Sequence, residues 1–307
     1  MQRADVERLR EALTDPSRLS EDRRTAEARF LLVSHVLAGL GRALDAARCD
    51  ALLAKGAALA QTVYPQPWQR EMADIDLIAR PGEVDRVLGA LEAGGLIVEP
   101  RSSERPITTD QLGERRTIMR FGGINMAVEV HSRLDKVVGR SVDYAAMFRR
   151  AVASPTNPRL LLPDPIDQIL LVVIHLSNSD FDHDVGWVDL ELLLRGHIDV
   201  DELLRRVRGA KLETAMWLSL LSLEALGSSS VPARVLRVLE PSTVRMRALS
   251  KRFRPGAFPP RQAGNAPTGW SWVVAQTPLR DDLVRWALGI ARYATSRTIE
   301  RVITARE

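Results

Sequence analysis

The spacing of apolar residues predicts helices in the N-terminal segment and throughout the C-terminal half of the chain. Residues 5–14 and 22–48 show helical periodicity, and Asp22, at the start of the second segment, suits a helix N-terminus. The same periodicity predicts further helices at about 165–177, 187–195, 199–208, 211–226, 231–239 and 279–304. The C-terminal half is therefore expected to be helical.

Between residues 51 and 131 the pattern changes to short apolar runs, alternating segments and glycine turns. The run from Ala51 to Ala54 is typical of a buried strand that ends at Lys55-Gly56, with a helix following. Further strands are predicted at 74–79, 96–98, 117–121 and 124–130, a helix at 82–93 and a polar loop at 100–115. The predicted fold class is α+β, with a small mixed β-sheet flanked by helices.

Four prolines between residues 153 and 165 mark the predicted boundary between the mixed region and the helical half. We therefore expect three parts. Residues 1–50 are N-terminal helices that pack on the core, 51–150 form the core with the sheet, and 151–307 form a helical C-terminal domain.

Composition narrows the class of protein. Hydrophobic residues make up 45% of the 307 residues, which excludes a disordered chain, and a single cysteine excludes a disulfide framework. No apolar run is long enough to span a bilayer, and the N-terminus has no signal-peptide pattern, so a cytoplasmic protein is expected. The net charge of +4 suits a polyanionic ligand such as a nucleotide, while 5% aromatic residues argue against a surface that stacks nucleic-acid bases.

Pairs of acidic and imidazole side chains on two predicted strands suggest a metal site. Asp74 and Asp76 are two residues apart and therefore lie on the same face of a strand, as do Glu129 and His131. Carboxylates that lie close together need a cation between them when they are buried. If the two strands pair, Glu129 joins the two aspartates, and three carboxylates suit the two Mg²⁺ ions used in phosphoryl and nucleotidyl transfer.

Lys55-Gly56, at a predicted strand-to-helix turn, has the features of a small phosphate site. Glycine permits close approach of the backbone, and a helix N-terminus offers unpaired N–H groups to an anion. Lys55 adds a positive charge. The chain has no GxxxxGK[ST] motif, so this is not a Walker loop.

These motifs together resemble a known family. Leu53-Ala54-Lys55-Gly56-Ala57-Ala58-Leu59, Tyr64, Arg70-Glu71-Met72-Ala73-Asp74-Ile75-Asp76-Leu77-Ile78 and Val128-Glu129-Val130-His131-Ser132-Arg133-Leu134 resemble the bacterial uncharacterised nucleotidyltransferase family. Leu171-Val172-Val173-Ile174-His175-Leu176 and Trp187-Val188-Asp189-Leu190 resemble its helical half. The family belongs to the DNA-polymerase-β-like superfamily, which implies a nucleotidyltransferase core.

The resemblance implies an enzyme that transfers a nucleotidyl group from a nucleoside triphosphate, with ATP expected first, to a hydroxyl of a small molecule, peptide or tRNA. It places Asp74, Asp76 and Glu129 as catalytic residues and Mg²⁺ ligands, and Lys55 and Gly56 on the glycine motif. The expected nucleotide site also includes Ala57, Arg70 and His131. The superfamily usually has Gly-Ser where this chain has Lys55-Gly56-Ala57, so a hydroxyl contact to phosphate is missing. The number of residues between Gly56 and Asp74 is also larger than in most branches of the superfamily.

Other interpretations of these residues stay open. A degenerate nucleotidyltransferase fold that only binds a partner, or one component of a toxin–antitoxin or defence pair, would carry the same motifs. Lys55 could be a solvated turn residue, and Glu129 an exposed strand acid. Arg70 could contact a triphosphate or pair with a nearby acid, and His131 could accept a proton, hydrogen-bond a ligand or be a half-buried structural residue.

Three features outside the core have structural and functional interpretations. His175 and Asp189 suggest a structural hydrogen bond between two helices or a contact to the acceptor. The acidic segment 180–184 includes His183, but its spacing fits no standard metal motif. The segment 245–261 holds six basic residues and no acidic ones, which indicates a solvated loop or a lid over an anionic acceptor.

Overall fold

A computed structural model describes residues 3–20, 22–98, 114–121, 124–135, 140–260 and 270–304. The helices are α1 (Arg3–Thr14), α2 (Arg23–Ala46), α3 (Lys55–Thr62), α4 (Val84–Ala93), α5 (Tyr144–Arg150), α6 (Pro165–Asn178), α7 (Asp184–Leu194), α8 (Val200–Ala210), α9 (Glu213–Leu226), α10 (Ala233–Leu239), α11 (Thr243–Leu249), α12 (Trp270–Gln276) and α13 (Leu283–Thr304). The strands are β1 (Ala51–Ala54), β2 (Asp74–Ala79), β3 (Ile97–Val98), β4 (Glu114–Phe121), β5 (Ile124–His131), β6 (Val152–Ala153) and β7 (Leu160–Leu162). The predicted α+β class is confirmed.

The strands form one mixed sheet in the order β3-β4-β5-β2-β1-β7-β6. The pairs β2/β5 and β1/β7 are parallel, and the remaining neighbours are antiparallel. Strand β2 therefore lies between β1 and β5 in the middle of the sheet. A central position explains why five of its six residues are buried, whereas a strand with alternating polar residues is more often solvated on one face.

The chain divides into two compact units. The sheet unit contains the described residues of 20–135, 143–168 and 292–304, and the helical unit contains those of 3–19, 140–142 and 169–291. All seven strands that the structure describes belong to the sheet unit. The predicted division at residues 50 and 150 stays a prediction.

The core of the sheet unit forms where helices α2, α3 and α4 pack on the sheet. Asp22 caps α2, because its carboxylate accepts hydrogen bonds from two backbone N–H groups in the first turn. All four residues of β1 are buried, and the small residues Ala57 and Ala58 allow α3 to lie close to the sheet. The buried apolar cluster includes Ile75 and Leu77 of β2, which alternate with Asp74 and Asp76 and therefore lie on the opposite face of the strand from those aspartates.

The helical unit uses several basic residues internally. Arg245 donates to the Asp281 carboxylate, which also accepts from Thr214, and Arg252 donates to Asp180. The prediction of a basic loop over 245–261 was partly wrong, because Thr243–Leu249 forms helix α11. Two of the six basic side chains are thus neutralised inside the unit, and Arg261 lies outside the described residues.

The apolar pattern missed four elements: helix α11, described above, strands β6 and β7, and helix α12. Strands β6 and β7 have only two and three residues, too few for periodicity to show, and they lie within or beside the proline-rich segment. Helix α12 follows a segment whose structure is not described. The predicted loop at 100–115 lies largely outside the described residues, except that residues 114 and 115 begin β4, and the predicted turn at Gly122-Gly123 lies outside them altogether.

No helix among the described residues combines the length and apolar character needed to cross a bilayer.

Candidate active site

The parallel pairing of β2 with β5 brings together the acidic residues of both strands. In this register Asp76 is opposite Glu129, and Asp74 is opposite Ala127. Side chains two residues apart share a face, so His131 lies on the same face of β5 as Glu129. The strand pairing on which the predicted joining of Glu129 to the aspartates depends is therefore present in the fold.

Asp76, Glu129 and His131 form a compact group of potential ligands. One ligand atom from each lies within 4.8 Å of the other two. His131 Nε2 is 2.8 Å from Asp76 Oδ1 and 3.6 Å from Glu129 Oε2. Asp76 and His131 each have only 3% of the side chain exposed, whereas Glu129 has 19%, so the group opens to solvent on the Glu129 side.

Lys55 completes the electrostatics of this group. Its Nζ donates to Asp76 Oδ1 at 2.8 Å, the same oxygen that His131 contacts. Burial raises the pKa of Asp76, but the His131 hydrogen bond and the Lys55 charge outweigh burial and lower it to about 2. Asp76 is therefore an anion at neutral pH although it is buried.

The N-terminus of α3 lies directly beside this group, because α3 begins at Lys55. The preceding residue, Ala54, makes no side-chain capping hydrogen bond to the N–H groups of the first turn. The predicted phosphate-binding residues Gly56 and Ala57 are both in this turn. Neither residue has a polar side chain, so their backbone N–H groups are what they can offer to an anion.

The guanidinium of Arg70 packs against Gly56. A Cβ added at Gly56 would lie 3.1 Å from Arg70 Nη1 and 3.3 Å from Met72 Cβ, which is tighter than ordinary contact. Arg70 donates to the backbone carbonyl of Glu71, while the carboxylate of Glu71 accepts from Arg29 and Ser20. A buried positive charge therefore lies next to the N-terminus of α3, as a phosphate site requires.

Asp74 occupies a different environment from Asp76. It is the first residue of β2, it is half-buried, and it is not part of the group formed by Asp76, Glu129 and His131. Its side chain makes no hydrogen bond or ion pair with any residue that the structure describes. The catalytic and metal-binding role predicted for Asp74 stays a prediction.

The donor chemistry of Asp76, Glu129 and His131 fits a divalent cation. Carboxylate oxygens and a neutral imidazole nitrogen are common ligands of such ions. The family resemblance implied that His131 belongs to the nucleotide site, whereas in the structure it is one of the three potential metal ligands. The i, i+2 spacing of Glu129 and His131 was the signal that could have indicated this.

His175, His183 and Asp180, three candidates in the helical unit, contact other residues of that unit. The rings of His175 and His183 meet edge to face with centroids 4.4 Å apart, and His183 Nδ1 accepts from Gly186 N at the start of α7. Asp180 pairs with Arg252. The predicted hydrogen bond between His175 and Asp189 stays a prediction.

The family model described as uncharacterised nucleotidyltransferase matches residues 6–227, which is more than half of the chain. The chain belongs to this nucleotidyltransferase family. No protein of curated function shows significant similarity to it. The match includes β1, α3, β2 and β5, so every side chain of the candidate site lies within the matched part of this family member.

Proposed function

We propose that this protein transfers a nucleotidyl group from a nucleoside triphosphate, ATP in the first instance, to a hydroxyl of an acceptor and releases pyrophosphate. The observation that carries the proposal is the position of Asp76, Glu129 and His131 beside the uncapped N-terminus of α3. A cation site and an anion site are adjacent there, which is what a metal-bound triphosphate requires. The family match supports the same activity.

The residues of the site divide into two sets in this proposal. Asp76, Glu129 and His131, with Asp74 at the start of β2, would hold Mg²⁺, which would neutralise charge developing on the phosphates. The N–H groups of Gly56 and Ala57, with Lys55 and Arg70, would bind the triphosphate. This list comprises the residues predicted from the sequence, with His131 moved to the metal-binding set.

The chemical step follows from this arrangement. The hydroxyl oxygen of the acceptor bonds to the α-phosphorus, the bond from that phosphorus to the bridging oxygen breaks, and pyrophosphate leaves with that oxygen. The proton of the hydroxyl passes to the Glu129 carboxylate, the most exposed acid of the group at 19%. Positive groups held in place along the phosphates supply most of the rate in such reactions.

The acceptor in this proposal is a small molecule or a peptide. The net charge of +4 and the aromatic content of 5% are modest for a protein that holds a nucleic acid. A tRNA acceptor is a further outcome that the product assay below can detect.

Ligand-dependent thermal unfolding tests the proposal. Each nucleoside triphosphate is added with Mg²⁺, and a ligand at 100 times its Kd stabilises the native state by about 2.7 kcal/mol, which raises Tm. Asp76→Asn should lose the Mg²⁺-dependent part of this rise, while Asp50→Asn, which breaks partly buried pairs with Arg80 and Arg159 away from the site, should keep it. Radiolabel from an α-labelled triphosphate should then transfer to acceptors in a cell extract.

An unchanged Tm with every triphosphate at millimolar concentration would contradict the enzyme proposal. That result would instead favour a degenerate fold that binds a partner. If expression of the protein inhibits growth and Asp74→Ala relieves the inhibition, the protein is a toxin that acts through the same nucleotidyl transfer.

A further inference from the structure

We propose that Lys55 is an exchangeable counter-ion. In the metal-free protein its ammonium neutralises Asp76, and when a divalent cation binds there, Lys55 releases Asp76 and moves to the phosphates of the nucleotide. This inference rests on the proposed function, and it adds a coupling between the cation and the triphosphate that is made by one side chain.

The first support is the contact itself. Lys55 Nζ lies 2.8 Å from Asp76 Oδ1, and the Asp76 side chain is 3% exposed. A carboxylate that is so buried needs a positive partner, and Lys55 supplies it where Asp76 would otherwise bind a metal. A cation that approaches Asp76 therefore competes with an ammonium already in place.

The second support is the choice of lysine. The chain has 43 basic residues of the Lys and Arg types, and lysine occurs at only four positions, 55, 136, 211 and 251. Fixed ion pairs of the sheet unit use arginine instead, as in Arg150 with Asp167 and Arg80 with Asp50. The arginine fork binds a carboxylate in a fixed planar geometry, whereas the lysine ammonium is a point charge on a flexible stem. Lysine is the basic residue better suited to changing partners.

The third support is the backbone at this position. Lys55 has a φ of +48°, in the left-handed region that side chains other than glycine rarely adopt. Glycine or asparagine would fit there with less strain. A lysine kept in this conformation at the junction of β1 and α3 indicates that its side chain has a role.

The phosphate site gives Lys55 a second partner within reach. Because Lys55 is the first residue of α3, its stem starts at the uncapped N-terminus where Gly56 and Arg70 meet. Phosphates bound there would lie beside the base of the same flexible side chain. When the Lys55 ammonium leaves Asp76, the metal ligands lose a competing positive charge, and the phosphates gain that same charge.

Amine labelling read by mass spectrometry tests the exchange in the full chain. With so few lysines, each amine is resolved individually. The probes are Mn²⁺ alone and Mn²⁺ with inorganic tripolyphosphate, which removes any dependence on the base of the nucleotide. We expect the reactivity of Lys55 to rise when Mn²⁺ alone binds and to fall again when tripolyphosphate is added, while Lys211 and Lys251 stay constant.

Calorimetry on Lys55→Met provides the second measurement. Mn²⁺ alone should bind this variant about 10- to 100-fold more tightly than it binds the wild type, the range set by the net strength of a hydrogen bond between charged groups. Tripolyphosphate should bind the Mn²⁺-loaded variant more weakly than it binds the loaded wild type. Lys211→Met is the matched control and should change neither affinity.

Three results would overturn the exchange. The first is Mn²⁺ binding without any change in Lys55 reactivity, which would mean that the ion pair persists. The second is a Lys55→Met variant with wild-type Mn²⁺ affinity. The third is a Lys55 amine that tripolyphosphate does not protect. If Tm rises with triphosphate while any of these results is obtained, the exchange fails and the proposed function stands; if neither Mn²⁺ nor triphosphate binds, both fail.

Discussion

Asp76 and Glu129 are opposite each other in the parallel pair of β2 and β5. The two strands are separated by more than forty residues of sequence, yet this register places the two carboxylates beside one imidazole. The negative charge of Asp76 is balanced by Lys55 and contacted by His131, and Glu129 is the more exposed of the two acids. The two acids therefore have different chemical environments.

The stability of the metal-free protein should depend on Asp76 in acid. Its pKa in the folded state is about 2, compared with 3.8 for an unperturbed aspartate, so the unfolded chain takes up the proton first as pH falls. The contribution, about 2 kcal/mol, is fully present above about pH 4 and is lost as pH falls through about 2. Denaturant unfolding at pH 7, 4 and 2 measures it.

Asp76→Asn is the comparison for this prediction. The variant should be less stable than the wild type at pH 7, and the two should converge at pH 2. Glu202, whose pKa is also lowered to about 2 by hydrogen bonds from Arg205 and Arg206, is present in both proteins and cancels. A difference that stays constant with pH would show that Asp76 is not the titrating group.

Asp74→Asn should separate binding from stability. Because the Asp74 side chain has no hydrogen-bond or ion-pair partner in the described part of the chain, we expect the free energy of unfolding to change by no more than about 0.5 kcal/mol. Transfer activity should nevertheless fall if Asp74 contacts the metal or the substrate as proposed. Full activity in a folded Asp74→Asn protein would remove this residue from the site.

His131 should influence which metal binds most tightly. Imidazole suits ions such as Co²⁺ and Zn²⁺, whereas Mg²⁺ prefers oxygen ligands. We expect Co²⁺ to bind more tightly than Mg²⁺ and His131→Asp to narrow the difference, as measured by calorimetry with each ion. The Co²⁺ absorption spectrum should also change in the variant.

His35→Asp on α2, outside the ligand group, is the control for this comparison. It adds the same negative charge on α2, a helix that contributes none of the proposed ligands. An identical ratio of Co²⁺ to Mg²⁺ affinity in wild type and His131→Asp would exclude His131 from metal binding.

Gly56→Ala should weaken triphosphate binding several-fold while leaving metal binding alone nearly unchanged. The added methyl would meet Arg70 Nη1 at 3.1 Å, so the guanidinium has to shift from its place beside the N-terminus of α3. Binding of tripolyphosphate in the presence of Mg²⁺ measures the effect. The control is Gly89→Ala in α4, where a Cβ meets nothing within 4 Å and alanine favours the helix by about 1 kcal/mol. Equal tripolyphosphate affinities in Gly56→Ala and Gly89→Ala would show that triphosphate binding does not need the close packing of Arg70 on Gly56.

The residue pattern alone predicted most elements of this protein. Helical periodicity located α2 and the helices from α6 to α10 because an amphipathic helix needs an apolar stripe over many turns. The short strands β6 and β7 were missed because two or three residues carry no period. The strand-to-helix turn at Lys55-Gly56 was predicted from its glycine, although the positive φ belongs to the lysine.

The sequence by itself determined which side chains share a face of each strand, since alternation along a strand is local geometry. It did not determine that His131 stands with Asp76 and Glu129 while Asp74 lies outside that group, or that Lys55 pairs with Asp76. Those contacts depend on the register of a parallel pair, and parallel strands are joined by a long crossover rather than a turn that would fix their alignment. Only packing of the whole sheet sets that register, so only the tertiary structure could decide which charges meet.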